Sequence, residues 1–179
     1  MKILDNTIQD YTGTNFSVYK REEGETIIKY NTSGDIIENN EMYSKVMLGK
    51  CETCNPFYKN SFEGFTYDTV LVVGLGLGLV PYELSEVNGC SKIDVLEIDQ
   101  EIIDYTISSG HLNSDINLIQ GDIYNYTTTE TYDLIIIDTI WYAHEMSNED
   151  CELLKSRLLP NINTGGALYF PIKEKFIIR

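Results

Sequence analysis

The run Thr69-Val-Leu-Val-Val73 passes directly into Gly74-Leu-Gly-Leu-Gly78. A continuous apolar run without polar alternation is the pattern of a strand buried on both faces, as in parallel sheets. The glycines predict a tight turn whose backbone another group can approach closely. A helix is expected over 78–88, with Val80, Leu84 and Val87 on one face and Pro81 tolerated in its first turn. Strand, glycine turn and helix in this order commit the chain to a crossover unit, which an all-helical or all-antiparallel fold does not contain.

The unit repeats. Lys92–Ile98 reads as a second strand, and residues 100–109 as a helix with Ile103 and Ile107 at i, i+4. Ile116–Ile119 is a third strand and Tyr132–Asp138 a fourth. Ser147 is placed to cap a helix whose Cys151, Leu154 and Leu158 share a face. Lys155 and Arg157 suit its C-terminus, and Pro160 ends it. Gly165-Gly166 is expected to turn the chain into a fifth strand, Ala167–Phe170. The fold class is therefore α/β, a Rossmann-like, doubly wound parallel sheet with right-handed crossovers.

Residues 1–68 read differently and are set apart from an α/β domain over 69–179. Phe16–Lys20 and Thr26–Tyr30 are strand-like, with Glu23-Gly24 between them as a hairpin turn. Asn31–Gly34 is a second turn, and Asp35-Ile36-Ile37 a candidate third strand. Residues 40–49 have Met42, Val46 and Met47 at helical spacing, with Gly49 as the stop. The connection over 50–68 carries Phe57, Tyr58, Phe62, Phe65 and Tyr67. So many aromatics in a loop read either as cover for the core or as a lid over a substrate.

The 28 acidic residues against 13 basic ones give a net charge of −15, which argues against nucleic acid as a partner. Such a field suits a cationic or amine-bearing small molecule or a basic protein, or else only keeps the chain in solution. No apolar run approaches a membrane span, and the polar start shows no signal peptide, so a cytoplasmic protein is expected. Cys51-Glu-Thr-Cys54 has zinc or redox spacing, but no second ligand pair follows, and no metal site is expected. His144 reads as a loop residue rather than a catalyst.

In doubly wound sheets the ligand lies beyond the carboxyl ends of the strands, where strand order reverses. Four features converge there. The loop Gly74, Gly76, Gly78 has GxGxG spacing; Leu79 breaks a dinucleotide fingerprint, and no Gly-Lys-Ser/Thr makes it a phosphate loop. Glu97 ends the second strand, with Asp99 just beyond, and a carboxylate there can accept from two ribose hydroxyls. Asp122 ends the third strand, either to accept from an exocyclic amine such as that of adenine or to cap the segment 123–127. Ile123 beside it is counted with the cofactor-binding residues. Asp138 ends the fourth strand, to orient or deprotonate a nucleophile or else to act as a cap. Trp141 and Tyr142 follow and can stack on a ligand.

Taken together, Val70–Gly78, Val95-Leu-Glu-Ile-Asp99, Gly121-Asp122 and Tyr132–Asp138 resemble the class I S-adenosylmethionine-dependent methyltransferase fold. More narrowly they are similar to the spermidine synthase (polyamine aminopropyltransferase) branch, whose small N-terminal β domain the hairpin region matches. The resemblance covers about residues 69–172. It implies S-adenosylmethionine, or its decarboxylated form, as cofactor, held by Gly74, Gly76, Gly78, Glu97 and Asp122. It implies Asp138 as the acid that helps deprotonate an attacking amine, and Tyr43 as a tyrosine near a polyamine channel. There are departures. Leu77 stands where that branch has an amine-holding aspartate, and Asp138-Thr-Ile-Trp-Tyr142 lacks its second acid. The sheet is expected to be truncated after the fifth strand, with room for at most one short strand more. An edge left open in this way favours oligomerisation.

Three functions follow. Methyl transfer from S-adenosylmethionine to a small amine-bearing acceptor is favoured. Aminopropyl transfer to a polyamine is the alternative. A non-catalytic nucleoside-binding or interaction module is the third.

Overall fold

The computed structural model describes residues 10–20, 26–30, 67–86, 90–110, 112–139, 147–170 and 175–178. The chain divides into two compact units, one of residues 1–65 with 104–111, the other of residues 66–103 with 112–179.

The first unit holds a three-stranded antiparallel sheet in the order β1-β2-β3, formed by Tyr11–Thr12, Phe16–Lys20 and Thr26–Tyr30. The β2–β3 hairpin has the expected strands, with Phe16 opposite Tyr30 and Lys20 opposite Thr26. The short strand β1 was not anticipated. Phe16 and Val18 alternate inward and are fully buried. Tyr11, Phe16 and Tyr105 form an aromatic cluster with ring centroids 5.0–5.8 Å apart. The expected third strand at 35–37, the helix at 40–49 and the aromatic connection up to 66 lie outside the described residues.

The second unit is a six-stranded sheet in the order β6-β5-β4-β7-β8-β9. Its strands are β4 (Thr69–Val73), β5 (Lys92–Glu97), β6 (Ile116–Gln120), β7 (Tyr132–Ile137), β8 (Ile162–Phe170) and β9 (Lys175–Ile178). The chain's helices are α1 (Leu79–Glu86), α2 (Gln100–Ser109), whose residues from Asp104 on belong to the first unit, and α3 (Asn148–Leu158). The five strands β4 to β8 are parallel, as the alternation with helices demands. The chain steps outward from β4 through β5 to β6, then returns to the other side of β4 with β7. Strand order therefore reverses between β4 and β7.

Both faces of the central strands are buried. Leu71, Val73, Ile135, Ile137, Leu168 and Phe170 lie on one face and join Cys151, Leu154 and Leu158 of α3 in a single apolar cluster. Val70, Val72, Leu134, Ile136 and Tyr169 occupy the alternate positions and are equally buried. Helix α3 starts at the expected cap: Ser147 Oγ accepts from the Asp150 N–H at 3.1 Å, and the Asp150 carboxylate accepts in return from the Ser147 N–H.

Three expectations are corrected. Gly165-Gly166 does not precede the fifth strand, because β8 begins at Ile162 and runs through the glycines. Tyr132 pairs with Ile162 and Leu134 with Ala167, so two steps on β7 (134 − 132) match five on β8 (167 − 162). The extra residues bulge out, with Gly165 at φ 83°. A Cβ on Gly166 would lie 2.7 Å from the Asp133 carbonyl oxygen, which excludes a side chain there. Second, Ile107 is 63% exposed; the buried face of α2 is made by Ile102, Ile103, Tyr105 and Thr106. Third, the edge of the fifth strand, β8, is not left open, because the one short strand that the sequence leaves room for covers it. Strand β9 pairs with it antiparallel, Ala167 opposite Ile178 and Phe170 opposite Lys175. Among the described residues no helix is long and apolar enough to cross a membrane.

Candidate functional site

The reversal of strand order brings the carboxyl ends of β4 and β7 side by side, Val73 opposite Ile137. Gly74 and Asp138 therefore meet. The Asp138 N–H donates to the Val73 carbonyl at 2.8 Å, and the Gly74 N–H to the Leu96 carbonyl at 2.8 Å. A Cβ on Gly74, which sits at φ 99°, would lie 2.3 Å from the Asp138 carbonyl oxygen. Glycine at 74 is thus required by the backbone of β7. Gly76 and Gly78 also have positive φ, 51° and 76°, while Leu75 and Leu77 between them are buried. The loop sends its side chains into the core. Leu77, the residue in place of an acid, is accordingly a core side chain.

Glu97 is only 7% exposed, yet its carboxylate is not an isolated buried charge. Oε2 accepts from the Leu75 N–H at 2.8 Å and Oε1 from the Asp99 N–H at 2.9 Å. A carboxylate offers about four lone-pair directions, so these bonds leave two of them for a further donor pair. Asp99 Oδ1 accepts from the Glu101 N–H at 2.9 Å and so caps the first turn of α2. Between the two acids, Ile98 is 61% exposed. The strand ends at Glu97 rather than at Ile98, one residue short of the sequence expectation.

Glu97 pairs with Gln120 across β5 and β6, and the Gly121 N–H donates to the Glu97 carbonyl at 2.9 Å. Asp122 follows. Its Oδ1 accepts from the Tyr124 N–H and its Oδ2 from Asn125 Nδ2, both at 2.9 Å. The capping role considered for Asp122 is therefore present, and lone pairs remain on both oxygens for a ligand donor. Ile123 turns inward and belongs to the apolar cluster with Val73, Leu96 and Ile137. Asp138 is buried at the end of β7. Tyr43, Trp141, Tyr142, His144, Cys51 and Cys54 lie outside the described residues, and so does His111. Among the described residues no group of three His, Cys, Asp or Glu side chains is arranged to hold a metal ion.

The opposite end of the sheet carries a different set of acids. Asp94 is buried and accepts from Tyr132 Oη at 2.7 Å and Asn117 Nδ2 at 2.9 Å, with Lys92 Nζ 3.7 Å away. Burial and the Asp94 bond push the Tyr132 phenol well above its ordinary value. Asp133 accepts from the Asp68 N–H, the Thr69 N–H, the Thr69 hydroxyl and Asn163 Nδ2, at 2.8–3.1 Å. Burial alone would raise its carboxyl, but these donors outweigh it and hold the group below the usual carboxylate range. Cys90, which donates to the Tyr67 carbonyl at 3.2 Å, has its thiol pushed up to about 11, first by burial and then by the Asp68 charge. These groups lie toward the end of the sheet opposite the glycine loop.

The sheet order is that of the Rossmann-like fold of class I S-adenosylmethionine-dependent methyltransferases. The sequence matches no protein-family model and no curated protein. Solved structures of that fold do match. The N-methyltransferase NodS from Bradyrhizobium japonicum WM9, in complex with S-adenosyl-L-homocysteine, aligns over 65% of this chain at 20% identity with a TM-score of 0.53. The glycopeptide N-methyltransferase MtfA, complexed with S-adenosyl-L-methionine, aligns over 65% at 16% identity and a TM-score of 0.53. The plantazolicin methyltransferase BpumL, in complex with S-adenosyl-L-homocysteine, aligns over 65% at 23% identity and a TM-score of 0.51. This chain spans 58%, 52% and 43% of those three chains respectively. At such identities the likeness establishes the fold.

Proposed function

We propose that this chain binds S-adenosylmethionine beyond β4, β5 and β6 and transfers its methyl group to a small, amine-bearing acceptor. The observation that carries the reading is Glu97: a carboxylate bonded to the glycine loop on one oxygen and to the start of α2 on the other, with lone pairs to spare. In that position it accepts from the two ribose hydroxyls. Ile98 supplies an apolar face to the base, and Asp122 accepts from the base's exocyclic amine. Gly74, Gly76 and Gly78 present main chain to the amino-acid portion. The matched structures carrying S-adenosyl-L-methionine or S-adenosyl-L-homocysteine support the choice of cofactor.

The cofactor, when bound, supplies an electrophilic methyl group on a sulfonium sulfur. What this chain adds is alignment and proton handling. Asp138 lies at the reversal of strand order, beside the glycine loop. Its carboxylate orients the acceptor amine and takes the proton that the nitrogen loses as it becomes methylated. The net charge of −15 favours a cationic acceptor over an anionic one. Tyr43 is assigned to the acceptor side on the family resemblance alone.

Aminopropyl transfer from decarboxylated S-adenosylmethionine is the second reading, favoured by the acidic chain and by Asp138, which would handle the amine in the same way. The buried Leu77 counts against it, since no acid is then available in the loop for the donor's amine. A thermal-shift panel separates them. Stabilisation by S-adenosylmethionine and S-adenosylhomocysteine supports methyl transfer. Larger shifts with decarboxylated S-adenosylmethionine and methylthioadenosine support aminopropyl transfer. Absence of any shift removes both and leaves the chain as a non-catalytic module.

A further inference from the structure

We infer that Arg157 is a positioning residue for base recognition, holding the turn 122–126 so that Asp122 meets the exocyclic amine of the bound nucleoside. The inference rests on the nucleoside-binding reading of the site.

A basic residue in the last turn of α3 serves the helix dipole, and the sequence asks no more of it. The structure uses it otherwise. The Arg157 guanidinium donates to the Tyr124 carbonyl through Nη1 and to the Tyr126 carbonyl through Nη2. Its flat fork serves two acceptors at once, which a lysine ammonium on a flexible stem does poorly. Both acceptors belong to the turn that Asp122 opens. The Asp122 carbonyl accepts from the Asn125 and Tyr126 N–H groups at 2.9 and 2.8 Å, and its Oδ1 accepts from the Tyr124 N–H. Asp122 therefore closes the beginning of this turn and Arg157 its end.

The anchor is rigid because Cys151, Leu154 and Leu158 seat α3 in the apolar cluster, where Ile123 of the turn is buried as well. The turn is held from within by Ile123 and from α3 by Arg157. Without the guanidinium, two carbonyls lose charge-assisted partners. The Tyr124 carbonyl shares its peptide with the Asn125 N–H, which donates to the Asp122 carbonyl, and the Asn125 side chain in turn donates to Asp122 Oδ2. The effect of Arg157 therefore reaches the ligand through one acceptor atom, which a single ligand group reports.

The test compares S-adenosylhomocysteine with S-inosylhomocysteine, in which a carbonyl oxygen replaces the exocyclic amine, by titration calorimetry on the full chain. The wild type is expected to prefer S-adenosylhomocysteine by about tenfold or more, since a site built to accept from an amine rejects an analogue lacking it. In R157A the preference is expected to collapse toward unity, through weaker S-adenosylhomocysteine binding and unchanged S-inosylhomocysteine binding. R157K is expected to restore part of it. R157Q, which keeps a donor and most of the stem, serves if R157A does not fold. A variant that weakens both ligands equally, or keeps the wild-type preference, overturns the positioning role while leaving the nucleoside site standing. A wild type that binds neither ligand overturns the site and the inference together.

Discussion

Glu97 accepts a hydrogen bond at 2.8 Å from the backbone N–H of Leu75, 22 residues earlier in the chain. The acid at the end of β5 is thus also the strut of the glycine loop after β4. The Asp99 N–H donates to the second oxygen of the same carboxylate. Replacing Glu97 with Gln keeps the shape but turns one acceptor into a donor facing an N–H group. The variant is expected to lose about 1–3 kcal/mol of stability, the cost of a buried donor left unmet. Nucleoside affinity should fall with it by about 1.5–3 kcal/mol, as for a hydrogen bond to a charged group. Denaturant unfolding and S-adenosylhomocysteine titration check the two effects separately. Undiminished affinity would remove Glu97 from the ribose site.

A variant of Asp138 is expected to separate binding from transfer. Its backbone N–H is tied to Val73, so Asp138→Asn leaves the β4–β7 junction in place. Cofactor affinity is expected to stay within about threefold of wild type. Turnover of an amine acceptor should fall by about 10²–10⁴-fold, the usual contribution of a positioned acid–base group. The ratio of turnover to affinity is the readout. Unchanged turnover with a competent acceptor would dismiss Asp138 as the base.

Gly74 makes a purely structural prediction at the same junction. A methyl group there would lie 2.3 Å from the Asp138 carbonyl oxygen, on a residue already at φ 99°. Neither fault is relieved by a rotamer change, because both are in the backbone. Gly74→Ala is expected to cost more than about 3 kcal/mol, adding left-handed strain to a forced separation of β4 and β7. Thermal unfolding measures it. A melting temperature within a few degrees of wild type would mean that the two strand ends part easily.

Most of the sheet was legible because burial on both faces leaves a simple mark. Val70–Val73 and Leu134–Ile137 are uninterrupted apolar runs, and glycines or acids end each of them. The cap of α3 was legible for a similar reason, since Ser147 acts on its own backbone; the answering bond from Asp150 was not read. What failed was what depends on distant partners. Periodicity assigned Ile107 inward, although the face of α2 that is covered is the one bearing Tyr105, packed against Tyr11 and Phe16. The double glycine at 165–166 signals a turn in any sequence reading; only the neighbouring Asp133 carbonyl shows that it is a bulge within a strand. The positions of Glu97, Asp122 and Asp138 at or just past strand ends were legible from the apolar runs alone. That Glu97 and Asp122 already hold backbone groups, and that Arg157 reaches the Asp122 turn, rests on contacts between segments that no local pattern encodes.

Asp133 shows how an acid outside the site shapes stability. Its folded-state pKa is lowered despite burial, by Asn163, by the Thr69 and Asp68 N–H groups and by the Thr69 hydroxyl. A depressed carboxylate stabilises the fold above its unfolded value of about 3.9. That contribution is lost as pH falls through the lower folded value, because the proton must then bind a group whose lone pairs are taken. Asp133→Asn cannot satisfy four donors in this way and is expected to cost about 1–3 kcal/mol at pH 7. The difference between wild type and variant should shrink below about pH 4 and stay constant between pH 6 and 8. Urea unfolding across that range measures it; a difference that does not change with pH would show that the carboxylate's charge adds nothing to the joint between β4, β7 and β8.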